Sequence, residues 1–311
     1  MTGPGRACPV SYRYGAGALA GSGQLEVDTL WVAGGVYGNP FALQRLLELY
    51  DAERGAKALV FNGDFHWFDI DDFQLIDEAV SRHLAIRGNI ETELAAPAEG
   101  AGCGCSYPDW VDDGTVERSN RILERLRGAA RRFPAALARL AALPMHRVAT
   151  VGGERVAVVH GDADSLAGWG FSQEALATRG GRDAALLAFA SSRARVFASS
   201  HSCLPVMQGF PGGRVIANNG AAGMPNFRGT TWGLATRISV VPGRTASYRS
   251  QAGNAVVEAI PLHYDAAAWQ RRFSEQWPAG SEAWRSYHGR IVNGPGYGME
   301  QALRLEPALA A

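Results

Sequence analysis

Neither charge predominates in this sequence. Its 311 residues include 30 basic and 30 acidic side chains, so there is no net field to draw it to nucleic acid or to an anionic membrane. Long apolar runs are also missing, and none approaches the ~20 residues that a bilayer-spanning helix requires. Cysteine is scarce: Cys8, Cys103, Cys105 and Cys203 are the only four. Two of them stand a single residue apart, which excludes an ordinary disulfide framework and predicts a reducing compartment. The N-terminal stretch has one early Arg and no apolar segment typical of a leader, so no signal peptide is expected and a cytoplasmic location is the default. Internal repeats and obvious interdomain linkers are absent as well.

What is present suits an ordered globular protein. Hydrophobic residues make up 47% and charged residues 19%, and the chain is long enough to bury a core without disulfide or metal staples. A Gly-rich arm occupies 1–26. Apolar runs then alternate with stretches of helical spacing. Strands are predicted at Leu30–Val36, Ala58–Phe61, Leu84–Arg87, Arg155–Val159 and Arg195–Ser199. Helices are predicted at Phe41–Glu53, Phe73–Arg82, about 116–142 and about 172–190. From Pro205 to His263 strands follow one another. A Trp-bearing, mostly helical extension covers 266–311, and a Gly- and Cys-bearing insertion lies at 95–115. The pattern is that of an α/β protein with mixed sheets and one main unit over 27–265.

Polar residues gather where the apolar runs end, which is where α/β folds place their ligands. In order these ends are Gly35-Val-Tyr37-Gly-Asn39, Asn62-Gly-Asp64, Arg87-Gly-Asn89, His160-Gly-Asp162 and Ser200-His201-Ser-Cys203. Each alone is a common turn motif. Together and in this order they resemble the five metal-binding motifs of the calcineurin-like metallophosphoesterases: Asp-x-His, Gly-Asp, Gly-Asn-His-(Asp/Glu), a lone His, and Gly-His-x-His. The resemblance covers about residues 28–260. It implies a four-layer α/β/β/α sandwich with two mixed sheets, and a metal-dependent hydrolase acting on a phosphate ester.

The resemblance also implies a ligand set. Asp64, Asn89, His160 and His201 occupy the positions of one metal site, and their carboxylate, amide and imidazole donors suit one divalent or trivalent ion of manganese, iron or zinc. The other site of the family has lost every ligand here but Asp64, which in the family bridges both ions. Its Asp position is Gly35, its first His position is Tyr37 and its last is Cys203, and the His after Gly-Asn is Ile90. One ion per chain is therefore expected.

His66, Cys203 and Asp162 are candidates for an added ligand or a proton-transfer group, and Tyr37, Asn39 and Arg228 for substrate contact. Each also has a plainer reading. His66 can be an ordinary loop histidine, Cys203 a small buried thiol, Tyr37 a plug in the vacated site and Arg228 a surface residue. The Cys103–Cys105 pair can be a redox couple, a metal clip or a tight turn near the site mouth. A small-molecule substrate is expected, with no nucleic-acid or membrane partner. Two other functions remain open at this level: the same metal site turned to a non-phosphoester reaction, and a binding protein without catalysis.

Overall fold

The computed structural model describes residues 3–21, 25–243 and 245–305. The N- and C-terminal parts of the arm and extension predicted at 1–26 and 266–311 therefore lie partly outside the described residues. The strands are β1 (Leu25–Val27), β2 (Thr29–Ala33), β3 (Lys57–Asn62), β4 (Leu84–Ile86), β5 (His146–Val151), β6 (Glu154–Val159), β7 (Val196–Ser199), β8 (Pro205–Phe210), β9 (Arg214–Asn219), β10 (Gly233–Ser239), β11 (Tyr248–Ala252), β12 (Ala255–Leu262) and β13 (Leu303–Arg304). The α-helices are α1 (Pro40–Asp51), α2 (Phe73–Val80), α3 (Asn89–Ala95), α4 (Asp113–Ala130), α5 (Pro134–Ala142), α6 (Gln173–Ala177), α7 (Arg179–Ser192), α8 (Ala266–Gln276) and α9 (Glu282–Asn293).

Two mixed sheets form, one ordered β1-β5-β6-β7-β9-β8-β13 and the other β11-β12-β10-β2-β3-β4. Alternation along the strands makes this a four-layer sandwich. Leu30 and Val32 of β2 and Val156 and Val158 of β6 face inward, into the cluster between the sheets. Their neighbours Trp31 and Ala33 face a second cluster that includes residues of α4, α8 and α9. Ala157 and Val159 face a third, under α7. This is the α/β/β/α arrangement that the motifs implied.

Three local features differ from the sequence reading. The stretch predicted as one helix at about 172–190 is two, because Thr178 leaves the helical region and its side chain caps the second. Strand β5 had no predicted counterpart; it pairs antiparallel with β6 through a Gly152–Gly153 turn, and its half-polar pattern is weak in isolation. The extension after 266 is not wholly helical, since β13 joins β8 in parallel. Its helix α8 supplies Trp269 and Phe273, and the residue after it supplies Trp277, to the same core as β2 and β3.

The strand directions position the site. β2, β3 and β4 run parallel, as do β6 and β7. Their C-terminal ends deliver residues 34–39, 63–66, 87–89, 160–162 and 200–203 to one edge.

Candidate metal centre

Four side-chain atoms converge at that edge. The Nε2 of His160 lies 3.1 Å from Asn89 Oδ1, 3.1 Å from His201 Nδ1 and 3.3 Å from Asp64 Oδ1. Asp64, His160 and His201 can each offer one donor atom to a single ion. Donors bound ~2.1 Å from one ion lie about 3.0 Å apart at right angles and about 3.4 Å apart at the tetrahedral angle, which is the spacing seen. All four residues are buried.

The surrounding hydrogen bonds turn lone pairs inward. His160 donates from Nδ1 to the carbonyl of Asn62 at 2.8 Å, which turns Nε2 toward the centre. His201 donates from Nε2 to the carbonyl of Cys105 at 3.0 Å, leaving Nδ1 inward. Asn89 donates from Nδ2 to the carbonyl of Cys103 at 2.9 Å, so its oxygen is the inward atom. Burial, and then the neighbouring His160, push His201 down to about 3, so its lone pair is available at neutral pH. Burial opposes a charge on His160, yet the adjacent Asp64 carboxylate raises it above its ordinary value. Two neutral acceptors and a carboxylate surround Nε2 of His160 in a buried space, so either a proton on that nitrogen or a metal ion must stand among them. The donor set fits a metal ion.

A carboxylate that the sequence reading passed over organises this loop. Glu91 is fully buried and accepts backbone N–H bonds from Asp64 (2.8 Å), Phe65 (3.0 Å), His66 (3.3 Å) and Gly88 (2.8 Å). It holds Asp64 in the left-handed region, φ 52°. Its signal was present, because it stands at the Asp/Glu position of the third motif.

The altered positions meet one another beside the centre. Tyr37 and Cys203 also have positive φ, 54° and 61°. The Tyr37 hydroxyl is 2.7 Å from Cys203 Sγ. A Cβ placed on Gly35 would stand 2.7 Å from Tyr37 Cε2. The phenol ring thus fills the space that a side chain at 35 would use. Burial pushes both Tyr37 and Cys203 up, with Arg290 partly opposing the shift at Cys203. Both stay protonated at neutral pH.

Four other candidates sit elsewhere. His66 is in the core, its Nδ1 2.6 Å from Asp69 and its ring stacked on Phe73 at 4.0 Å; the turn after Asp64 carries it away from the cleft. Asp162 accepts backbone N–H bonds from Asp164, Ser165 and Gly170 and clamps its own loop. Asn39 caps α1 through Phe41 and Ala42 and donates to the carbonyl of Gly223, so its polar atoms are occupied by structural bonds. Arg228 is exposed and does not line the cleft.

The Cys-bearing insertion covers the centre. Its cysteines are free thiols, and its carbonyls at Cys103 and Cys105 are the ones that orient Asn89 and His201. The Cys105 carbonyl also accepts from Trp169 Nε1 at 3.0 Å. The N-terminal arm holds the insertion down, since Gly5 and Arg6 bond to the backbone at Ala101, Pro108 and Val111, and it is tied to α3 where Tyr12 donates to Glu93 at 2.6 Å. The remaining cleft is small, about 30 Å³, and is lined by Tyr37, Trp67, Ile90, Tyr107, Trp169 and Tyr287 besides the polar floor. No described helix is long and apolar enough to cross a membrane.

Comparisons with known proteins agree with this geometry at the level of fold. No family model matches the sequence, and no curated protein matches it. Among solved structures, a metallophosphoesterase from Sphaerobacter thermophilus is similar with TM-score 0.55 and 18% identity, over 86% of this chain and 100% of that one. A hypothetical protein from Pyrococcus horikoshii OT3 is similar with TM-score 0.59 and 14% identity, over 88% of this chain and 100% of that one. With the motif order and the two facing sheets, these likenesses assign the chain the calcineurin-like metallophosphoesterase fold.

Proposed function

We propose that the protein is a metal-dependent hydrolase of the phosphoesterase kind, with one ion per chain, acting on a small-molecule phosphate ester. Asp64, Asn89, His160 and His201 would hold the ion. When bound, such an ion supplies Lewis acidity toward a phosphoryl oxygen. The observation that carries the reading is the convergence of four lone-pair donors on one buried point, each imidazole tautomer set by a backbone carbonyl.

The chain's own residues divide the remaining work. Glu91 fixes the loop that presents Asp64, and the insertion's carbonyls fix His201 and Asn89. Tyr37 and Cys203 fill the neighbouring position, which supports one ion rather than two. The soft thiol is protonated and hydrogen-bonded there, a poor ligand for a hard ion. Elemental analysis of the purified protein is the test. About one equivalent of Mn, Fe or Zn per chain is expected, together with phosphoester hydrolysis that chelation removes. Two tightly held equivalents would overturn the one-ion reading, and a metal-free protein that cannot be loaded would overturn the whole.

A further inference from the structure

The candidate metal centre lies past the C-terminal ends of β6 and β7. At the N-terminal ends of the same strands there is a separate hollow of about 380 Å³, lined by Arg155, Arg193, Arg195 and Arg214. Strand β6 has six residues, so its two ends are ~17 Å apart at ~3.3 Å per residue. The hollow and the cleft over the metal centre share no lining residue.

One carboxylate, Glu154, faces the four guanidinium groups. It is already engaged, accepting from Arg195 Nε at 3.0 Å and from the backbone N–H of Asn254 at 3.0 Å. Among the described residues, that is the only ion pair in the hollow. Arg155 donates to the carbonyl of Gly21 at 2.6 Å. Arg214 lies over the ring of Phe189, 5.9 Å from its centroid. Neither Arg214 nor Arg193 makes a side-chain hydrogen bond or ion pair among the described residues. Four positive charges against one negative leave three uncompensated, in a chain whose formal total is zero.

A simpler account covers only part of this. Helix α7 ends at Ser192, and the last carbonyls of a helix favour a cation beside them. That explains Arg193. Arg155, Arg195 and Arg214 come instead from β6, the residue before β7, and β9. All three are partly buried, which reduces the water available to screen their mutual repulsion. An anion seated among them would remove it. Guanidinium groups pair with phosphate oxygens two at a time. One phosphate dianion would leave the hollow positive, whereas a diphosphate, with about three negative charges at neutral pH, would neutralise it. The cations close on one concavity and do not run in a stripe, which suits a compact anion and not the repeating backbone of a nucleic acid.

We infer that this hollow binds a diphosphate group, independently of the metal centre and of the reaction proposed there.

The test is calorimetric titration of the full chain. Inorganic pyrophosphate should bind at least about ten-fold tighter than inorganic phosphate, and Arg214→Gln should weaken it about ten-fold, the scale of one charge-assisted contact. Arg193→Gly is the second variant. Arg193 has φ 57°, a conformation that glycine adopts without strain. This variant should therefore unfold at no lower urea concentration, yet lose about ten-fold in pyrophosphate affinity. His160→Ala removes a ligand of the metal centre and should leave pyrophosphate binding unchanged. Binding that survives both arginine variants, or is lost in His160→Ala, places the anion at the metal centre and overturns the inference. Undetectable pyrophosphate binding, or equal affinity for phosphate and pyrophosphate, overturns it as well. So does a short DNA duplex that binds more tightly than pyrophosphate. ADP separates the sources of the group. Affinity at least equal to that of pyrophosphate makes the diphosphate the end of a nucleotide-like molecule, and weaker affinity makes it the free ion.

Discussion

Replacing Gly104 with Ala tests whether the insertion is part of the metal centre or merely lies over it. Gly104 sits between the two carbonyls that orient Asn89 and His201, with φ +68°. A Cβ there would stand 2.3 Å from the Tyr12 hydroxyl, 2.9 Å from Glu93 Cγ and 3.3 Å from Asn89 Cβ. The left-handed conformation alone costs an alanine about 1–2 kcal/mol, and overpacking adds about 1–3 kcal/mol. The buried Tyr12–Glu93 pair, tied to Arg127 at 2.9 Å, leaves little room to yield, so the insertion should lift. Both carbonyls then withdraw from their imidazole and amide partners. Loss of such outer partners lowers metal affinity ~10- to 100-fold, or about 1.4–2.7 kcal/mol. Chelator competition measures the affinity, and urea unfolding of the metal-free protein measures stability separately. Gly100→Ala is the control, since Gly100 has φ +73° in the same insertion but nothing within 4 Å of its Cβ position. It should show the backbone strain without the loss of metal. Metal affinity unchanged within about two-fold in Gly104→Ala, alongside the expected destabilisation, would refute the argument that the insertion sets the ligands.

The other predictions address the centre itself. His160→Ala should strip the metal and abolish hydrolysis, whereas Cys203→Ala should retain most of the metal; the reverse pattern in elemental analysis would place the ion in the neighbouring position. Metal affinity should fall as pH is lowered from ~8 to ~6, because binding must displace the proton that Asp64 favours on His160; an affinity flat across that range would mean that His160 is not a ligand. Glu91→Gln should destabilise the protein by about 3 kcal/mol in urea, since four backbone donors converge on that carboxylate; a change below about 0.5 kcal/mol would remove it from the organising role. Unfolded without reductant, the chain should titrate four thiols; a value near zero would show disulfides.

Much of the site was legible because its ligands follow apolar runs closely. Asp64 and His160 stand within two residues of a strand end, so strand periodicity and turn residues locate them together. His201 follows the same rule after β7, and Asn89 stands three residues past the end of β4. What escaped notice depends on contacts across the chain. Glu91 acts through N–H groups about 25 residues away, and Cys105 through a carbonyl that reaches His201, 96 residues on. Backbone carbonyls have no sequence signature at all. His66 misleads for the opposite reason. Its distance from Asp64 along the chain is two residues, but the positive φ at Asp64 redirects the turn and sends the ring to Phe73. Asn39 and Asp162 have the residue types of a site, yet the turn and cap bonds such residues ordinarily make account for them.

The contact between Gly35 and the ring of Tyr37 bears on how this protein could change over time. A side chain at 35 and the phenol at 37 cannot share the space, since even a Cβ falls 2.7 Å from the ring. Restoring a carboxylate at 35 alone would therefore create a clash before it created a ligand. Restoring a histidine at 37 alone would leave its imidazole without the carboxylate partner, and would strand the Cys203 thiol without its hydroxyl. Each single reversion is disfavoured by the residues still in place, and only a concerted change at 35, 37 and 203 reopens the second position. On the one-ion reading, a second position would have to be built by changing all three residues together.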